Sequence, residues 1–137
     1  MTTQVREAHA VTNARGQLES IKELYREYKE NASAFVSNLD TEESITERAR
    51  EKALSVQFRS GWSSSTEDLE PEEFKILLSW GGPACQIIGK LDQYKEPTDI
   101  EIQYQDWGTP WTTYEISDNH DDYQALEWFC NCFYFGQ

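Results

Sequence analysis

FKILLSWGGPACQIIGKLDQYKEPTDIEIQYQDWGTPW, from Phe74 to Trp111, is the stretch whose pattern decides the fold. Phe74, Ile76, Leu78 and Trp80 alternate with Lys75, Leu77 and Ser79, the period-two signature of a half-buried strand. Gly81-Gly82-Pro83 follows at once. The glycines tolerate positive φ and Pro83 biases Gly82 away from the helical region, so the chain reverses there. A second strand runs through Cys85, Ile87, Gly89 and Leu91, with Gln86, Ile88 and Lys90 on its other face; Gly89 marks a bulge or a close backbone approach. After a polar connection from Asp92 to Asp99, a third strand places Ile100, Ile102 and Tyr104 inward and Glu101, Gln103 and Gln105 outward. Both connections are too short for a crossover helix, so the strands form an antiparallel meander.

Beyond this stretch, Thr112 to Ile116 is rich in β formers and supplies a fourth strand. Between lies Gln105-Asp106-Trp107-Gly108-Thr109-Pro110-Trp111, in which two tryptophans flank a turn. One reading is a buried corner, with both indoles folded over the sheet edge. The other is an aromatic anchor presented to a partner.

On the N-terminal side, Val11, Ala14, Leu18, Ile21, Tyr25 and Tyr28 form a stripe at steps of three and four, a helix over residues 3 to about 31. The register continues through Ala32, Phe35 and Leu39 and would allow a coiled-coil seam and a homodimer. Gly16 and the Ser33, Ser37 and Asn38 cluster favour packing on its own domain instead. Asp40 or Thr41 caps a second helix reaching about Arg59, with Ile45, Ala49, Ala53 and Val56 on one face and Leu54, Phe58 and Trp62 beside it. Near the other terminus, a helix from Asp121 to about Tyr134 carries Leu126, Phe129, Cys130 and Phe133 inward, with Asp118 or Asn119 as its cap. The expected architecture is a single α+β domain over residues 1–137. It comprises a helical hairpin at 1–60, an acidic linker at 61–73, and a three- to four-stranded antiparallel sheet with a C-terminal helix packed on it at 74–137.

Charge is the strongest compositional fact. The chain carries a net −13. Residues 1–60 hold nine basic and ten acidic groups, whereas residues 61–137 hold three basic and fifteen acidic, a net of −12. Such a field repels nucleic acid and anionic membranes and attracts basic surfaces, although acidic surfaces also serve solubility alone. The sharpest acidic run is Glu67, Asp68, Glu70, Glu72 and Glu73. Asp118, Asp121 and Asp122 form a second group, and Asp106 sits beside Trp107. The absence of a long apolar run and of a signal-peptide core points to the cytoplasm, and there the Asn31-Ala32-Ser33 sequon is a chance match.

Catalytic devices are not recognisable. His9 and His120 have no Ser or Cys motif around them, Ser79 lacks a hydrolase elbow, and Gly81-Gly82 lacks the residues of a phosphate loop. Asp106, Asp118, His120, Asp121 and Asp122 are the types a divalent metal would need, but helix capping accounts for most of them. Cys85, Cys130 and Cys132, even with His120, lack zinc-site spacing and read as buried thiols. The expectation is therefore no catalytic residues, no metal and no cofactor.

The pattern GGPA, then I-x-G-x-L-D, then YQDWGTPW resembles a family of small proteins borne by phages, prophages and plasmids. The resemblance covers Leu77 to Trp111 and the aromatic C-terminal segment. It carries no chemistry over to any residue. What it implies is a mobile-element setting, where small acidic proteins often inhibit host defence. The functional expectation is a non-enzymatic, anti-CRISPR-type inhibitor in the bacterial host cytoplasm that occupies a basic nucleic-acid-binding surface of an effector complex. Glu67, Asp68, Glu70, Glu72, Glu73, Asp106, Trp107, Trp111, Asp118, Asp121 and Asp122 would make the contact.

Overall fold

The computed structural model describes residues 3–34, 36, 38–65, 69–116 and 120–135. The apolar stripe winds into α1 (Thr3–Ala32), whose Ala10, Ala14, Leu18, Ile21 and Leu24 are buried. Val11, Tyr25 and Tyr28 are partly buried, the tyrosine rings lying 5.7 and 5.4 Å from the ring of Trp128. The stripe is thus spent on the chain's own core. It stops at Tyr28: Ala32 and Leu39, expected to continue it, are exposed, and Phe35 lies outside the described residues.

α2 (Leu39–Glu51) is capped by Asn38, not by Asp40 or Thr41. The Asn38 side chain accepts from Thr41 N at 3.1 Å, and its backbone N–H donates to Asn31 Oδ1 at 3.1 Å, tying the end of α1 to the start of α2. Asp40 and Glu42 then occupy the first turn, where carboxylates suit the helix dipole. Ile45 and Ala49 are buried.

A helix to Arg59 was expected, yet α2 ends at Glu51 and Ser55–Ser60 forms β1. Val56 and Phe58 satisfy a period of two as well as the edge of a helical face, so the short run is ambiguous by itself. Pairing with the next strand decides it, β1 lying antiparallel with Val56 opposite Ile76 and Phe58 opposite Phe74. At this edge Leu54, Phe58 and Trp62 are exposed instead of forming a buried strip.

β2 (Pro71–Ser79), β3 (Ala84–Leu91), β4 (Pro97–Gln105) and β5 (Thr112–Thr113) complete one five-stranded sheet in the order β1-β2-β3-β4-β5, antiparallel throughout. The expected linker therefore shortens, because Pro71, Glu72 and Glu73 already belong to β2, and the fourth expected strand shrinks to two residues. Phe74, Ile76, Leu78, Cys85, Ile87, Leu91, Ile100 and Ile102 face the helices and are buried. Burying each large apolar side chain contributes about 1.5–3 kcal/mol.

Trp80 breaks the expected alternation, and a bulge is the cause. Leu77 pairs with Gln86 but Ser79 with Cys85, so Leu78 and Ser79 together oppose one residue. Both turn toward the helices, Ser79 Oγ accepting from Asn13 Nδ2 of α1 at 2.8 Å. The parity shift throws Trp80 outward, 63% exposed. At Gly89 the expected close approach is present: a Cβ there would meet the Phe74 ring at 2.6 Å and Thr98 O at 2.9 Å. The register also shifts beside it, between Ile88 and Lys90.

α3 (His120–Cys130) lies across α1 and β4 and buries Leu126, Phe129 and Cys130. It ends four residues before the expected Tyr134, closing with Cys132 N–H to Phe129 O and Phe133 N–H to Cys130 O. The chain then brings Phe135, fully buried, to 4.7 Å from the Phe74 ring. The expected cap at Asp118 or Asn119 lies outside the described residues.

Candidate functional site

Antiparallel order sorts the loops into two groups. The β1–β2 and β3–β4 connections meet at one end of the sheet; the β2–β3 and β4–β5 connections meet at the other. A strand of nine residues separates them, roughly 25–30 Å. The expected site residues are divided between these ends and a third place.

The first end is acidic. Glu70, Glu72, Glu73, Asp92, Glu96 and Asp99 gather there, against Arg59, Lys90 and Lys95. Arg59 is committed to Glu73, and Lys95 Nζ lies 3.0 Å from Glu70 Oε2 and 3.1 Å from Pro71 O. Asp92 shapes its hairpin by accepting from Tyr94 N at 2.8 Å and Glu96 N at 3.0 Å. Asp99 adopts φ 49, a left-handed conformation that Asp tolerates better than most residues. Glu72, Glu96 and Asp99 are exposed. Glu67 and Asp68, which precede them in the chain, lie outside the described residues.

The second end is aromatic. Trp80 and Trp107 are 63% and 65% exposed and line one pocket of about 220 Å³ with Ala84, Gln105, Asp106 and three glycines. Gly81, Gly82 and Gly108 have φ of 97, 88 and 77, values that L side chains rarely adopt. The Trp107 loop is closed on itself. Asp106 Oδ1 accepts from Trp107 N at 2.8 Å, Thr109 Oγ1 accepts from Asp106 N at 3.0 Å and donates to Asp106 O at 2.9 Å, and Gln105 Nε2 donates to Thr109 O at 2.7 Å. Asp106 is thus the keystone of a turn and not a free surface charge. The buried-corner reading fails for Trp107, while Trp111 is half-buried and does not line the pocket. Trp80, expected inside, is the residue that sequence reasoning missed; only the bulge before it explains its direction.

The third place is the start of α3. Asp121 is exposed, whereas Asp122 is buried with Oδ1 2.9 Å from Lys22 Nζ of α1, an ion pair between the two helices. Asp122 holds the Lys22 ammonium's pKa above its ordinary value, the carboxylate outweighing the cost of burial. It acts as a strut between two helices, which removes it from any partner surface. Asp118 lies outside the described residues.

Between the ends, the sheet face turned away from the helices forms a shallow depression of about 1120 Å³. Its floor includes Lys75, Ile88 and Gln86, the last buried and donating from Nε2 to Gln103 Oε1 at 2.8 Å. Both signs of charge line it, through Lys75, Lys90, Glu73 and Glu101.

The thiols belong to the core. Cys85 and Cys130 are buried and Cys132 is half-buried, all unpaired. Burial pushes Cys85 up to about 12 despite nearby Lys52, Cys132 to about 11 despite Arg50, and Cys130 well above the ordinary thiol range. They are protonated and poor nucleophiles at neutral pH. Among the described residues, no three His, Cys, Asp or Glu side chains are grouped to hold a metal ion, and no helix is long and apolar enough to cross a membrane. Comparison with protein-family models, curated proteins and solved structures finds no match.

Proposed function

We propose that this protein is a non-catalytic, acidic binding module that occupies the basic nucleic-acid-binding surface of a partner. In the mobile-element setting that the sequence resemblance implies, the partner class is a bacterial CRISPR effector complex, and the outcome is inhibition. The observation that supports this reading is the acidic end of the sheet. Glu72, Glu96 and Asp99 stand exposed there, while Arg59 and Lys95 are already engaged by other carboxylates. Carboxylates held on rigid hairpins attract the lysines and arginines that otherwise meet phosphates. The chain's net −13 makes direct nucleic-acid binding unfavourable.

The test is target-DNA binding by purified, guide-loaded effector complexes, followed by anisotropy while this protein is titrated in at several salt concentrations. Displacement of DNA that weakens as salt rises is the expected result. Effectors that bind DNA undisturbed at saturating protein would refute the reading.

A further inference from the structure

We propose that Trp80 and Trp107 form a clamp for one cationic side chain, an arginine or lysine head supplied by a basic partner. The clamp rests on the reading above and adds a contact that differs in chemistry and place from the acidic end.

Size is the first argument. About 220 Å³ holds the volume of roughly seven liquid waters, below the range of about 300–1,000 Å³ typical of small-molecule sites. A single side-chain head is the fitting occupant. The second argument is the lining. Two exposed indoles offer faces whose quadrupoles attract a cation within about 6 Å of the ring centre. Asp106 lines the same pocket. A stacked nucleotide would bring its phosphate into the field of a chain half with a net charge of −12.

Preorganisation is the third argument. Trp107 rides a turn closed by five hydrogen bonds among Gln105, Asp106, Trp107 and Thr109, and Trp80 leaves a strand end fixed by a bulge and by the Asn13–Ser79 bond. With the backbone already fixed, only the two indole rotamers remain to be ordered when a partner arrives.

A fluorescent peptide of alternating glycine and arginine, titrated onto the full chain, tests the clamp against the same peptide with citrulline, the neutral isostere of arginine. Arginine peptide is expected to bind and citrulline peptide to lose most of that affinity. Trp80→Leu and Trp107→Leu should each weaken arginine-peptide binding about two- to fivefold with unchanged melting temperature, and Trp107→Phe should keep part of it. Equal binding of both peptides, no binding of either, or a double leucine variant that binds as well as the native chain would each overturn the clamp. DNA displacement from the effector, measured with the same double variant, separates the two ideas. If the native chain displaces DNA but tryptophan loss changes nothing, the clamp alone fails. If the tryptophans hold arginine but the native chain leaves the effector untouched, the inhibitor reading fails and the clamp serves another basic partner.

Discussion

The two ends of the sheet are made by different means. At the acidic end the hairpins are tied by Asp92 and by the Arg59–Glu73 and Lys95–Glu70 pairs, and Glu72, Glu96 and Asp99 stand exposed beside them. At the aromatic end, glycines with positive φ and a hydrogen-bonded turn fix the backbone that carries two large exposed side chains. Charge acts at a distance and tolerates imprecision; a π face acts only at contact and needs a rigid mount. A surface organised this way would use one end to gather a partner and the other to hold it.

The most damaging change should fall between the ends. Gly89 sits on β3 beneath the Phe74 ring, and Gly89→Ala forces that ring or the β4 backbone to move. The expected loss is roughly 1–3 kcal/mol, and both ends should lose binding together because the strands that carry them shift. Gly16→Ala is the contrast: nothing lies within 4 Å of the new methyl in mid-helix α1, so a gain of about 0.5–1 kcal/mol is expected. A Gly89→Ala melting temperature equal to the native value would show that the ring has room to spare.

Alkaline pH should strike the shared core without favouring either end. The folded state keeps the Cys85 and Cys132 protons up to about 12 and about 11, whereas the unfolded chain releases them near 9.0. Stability is therefore complete below pH 9 and drains away as pH climbs from there toward the folded values. Thermal melts between pH 8 and pH 10.5 should fall with pH, and Cys85→Ala should flatten the fall. A slope indifferent to that substitution would assign the loss elsewhere.

A smaller effect, confined to the aromatic end, is expected of Thr109→Val. It removes the hydroxyl that accepts from Asp106 N and donates to Asp106 O. One backbone N–H left unpaired costs about 1 kcal/mol. Arginine-peptide affinity should drop while the salt dependence attributed to the acidic end persists. Parallel loss of both would mean that the ends are not independent.

What the sequence made legible follows the same division. The α1 stripe and the alternation around Ile76, Ile87 and Ile102 placed the core, because burial on one face leaves a period that local residues must obey. β1 was hidden because six residues fit either period until a partner strand chose. Trp80 was misplaced because a single bulge inverts every later residue, and a bulge is set by pairing across strands rather than by the strand's own pattern. The site fared worse than the fold. Asp106 and Asp122 looked like members of acidic groups, yet one closes a turn and the other braces Lys22, contacts made by residues distant in sequence or by backbone geometry. Trp107 was readable as an anchor only as one of two alternatives, since an aromatic beside Gly and Pro has no signature for inside or outside.

The smallest effect on stability, and the sharpest on the comparison, belongs to the acidic end. Glu72 and Glu96 are exposed, and neither is among the carboxylates that engage Arg59 or Lys95. Glu72→Lys with Glu96→Lys should therefore move stability by no more than about 0.5 kcal/mol. Binding to a basic partner should respond differently at the two ends. Reversing exposed charges lowers the association rate and flattens the dependence of affinity on salt, because long-range attraction acts before contact. Removing Trp80 or Trp107 should instead raise the dissociation rate and leave the salt slope alone, because a short-range contact acts after encounter. Stopped-flow association and dissociation with the same arginine peptide, at two salt concentrations, resolve the four rates. If charge reversal and tryptophan loss change the same rate by similar factors, gathering and holding are not separate tasks, and the peptide lies across both ends at once. That result would require an extended partner spanning the sheet, with the depression floored by Lys75, Gln86 and Ile88 as the path between the two ends.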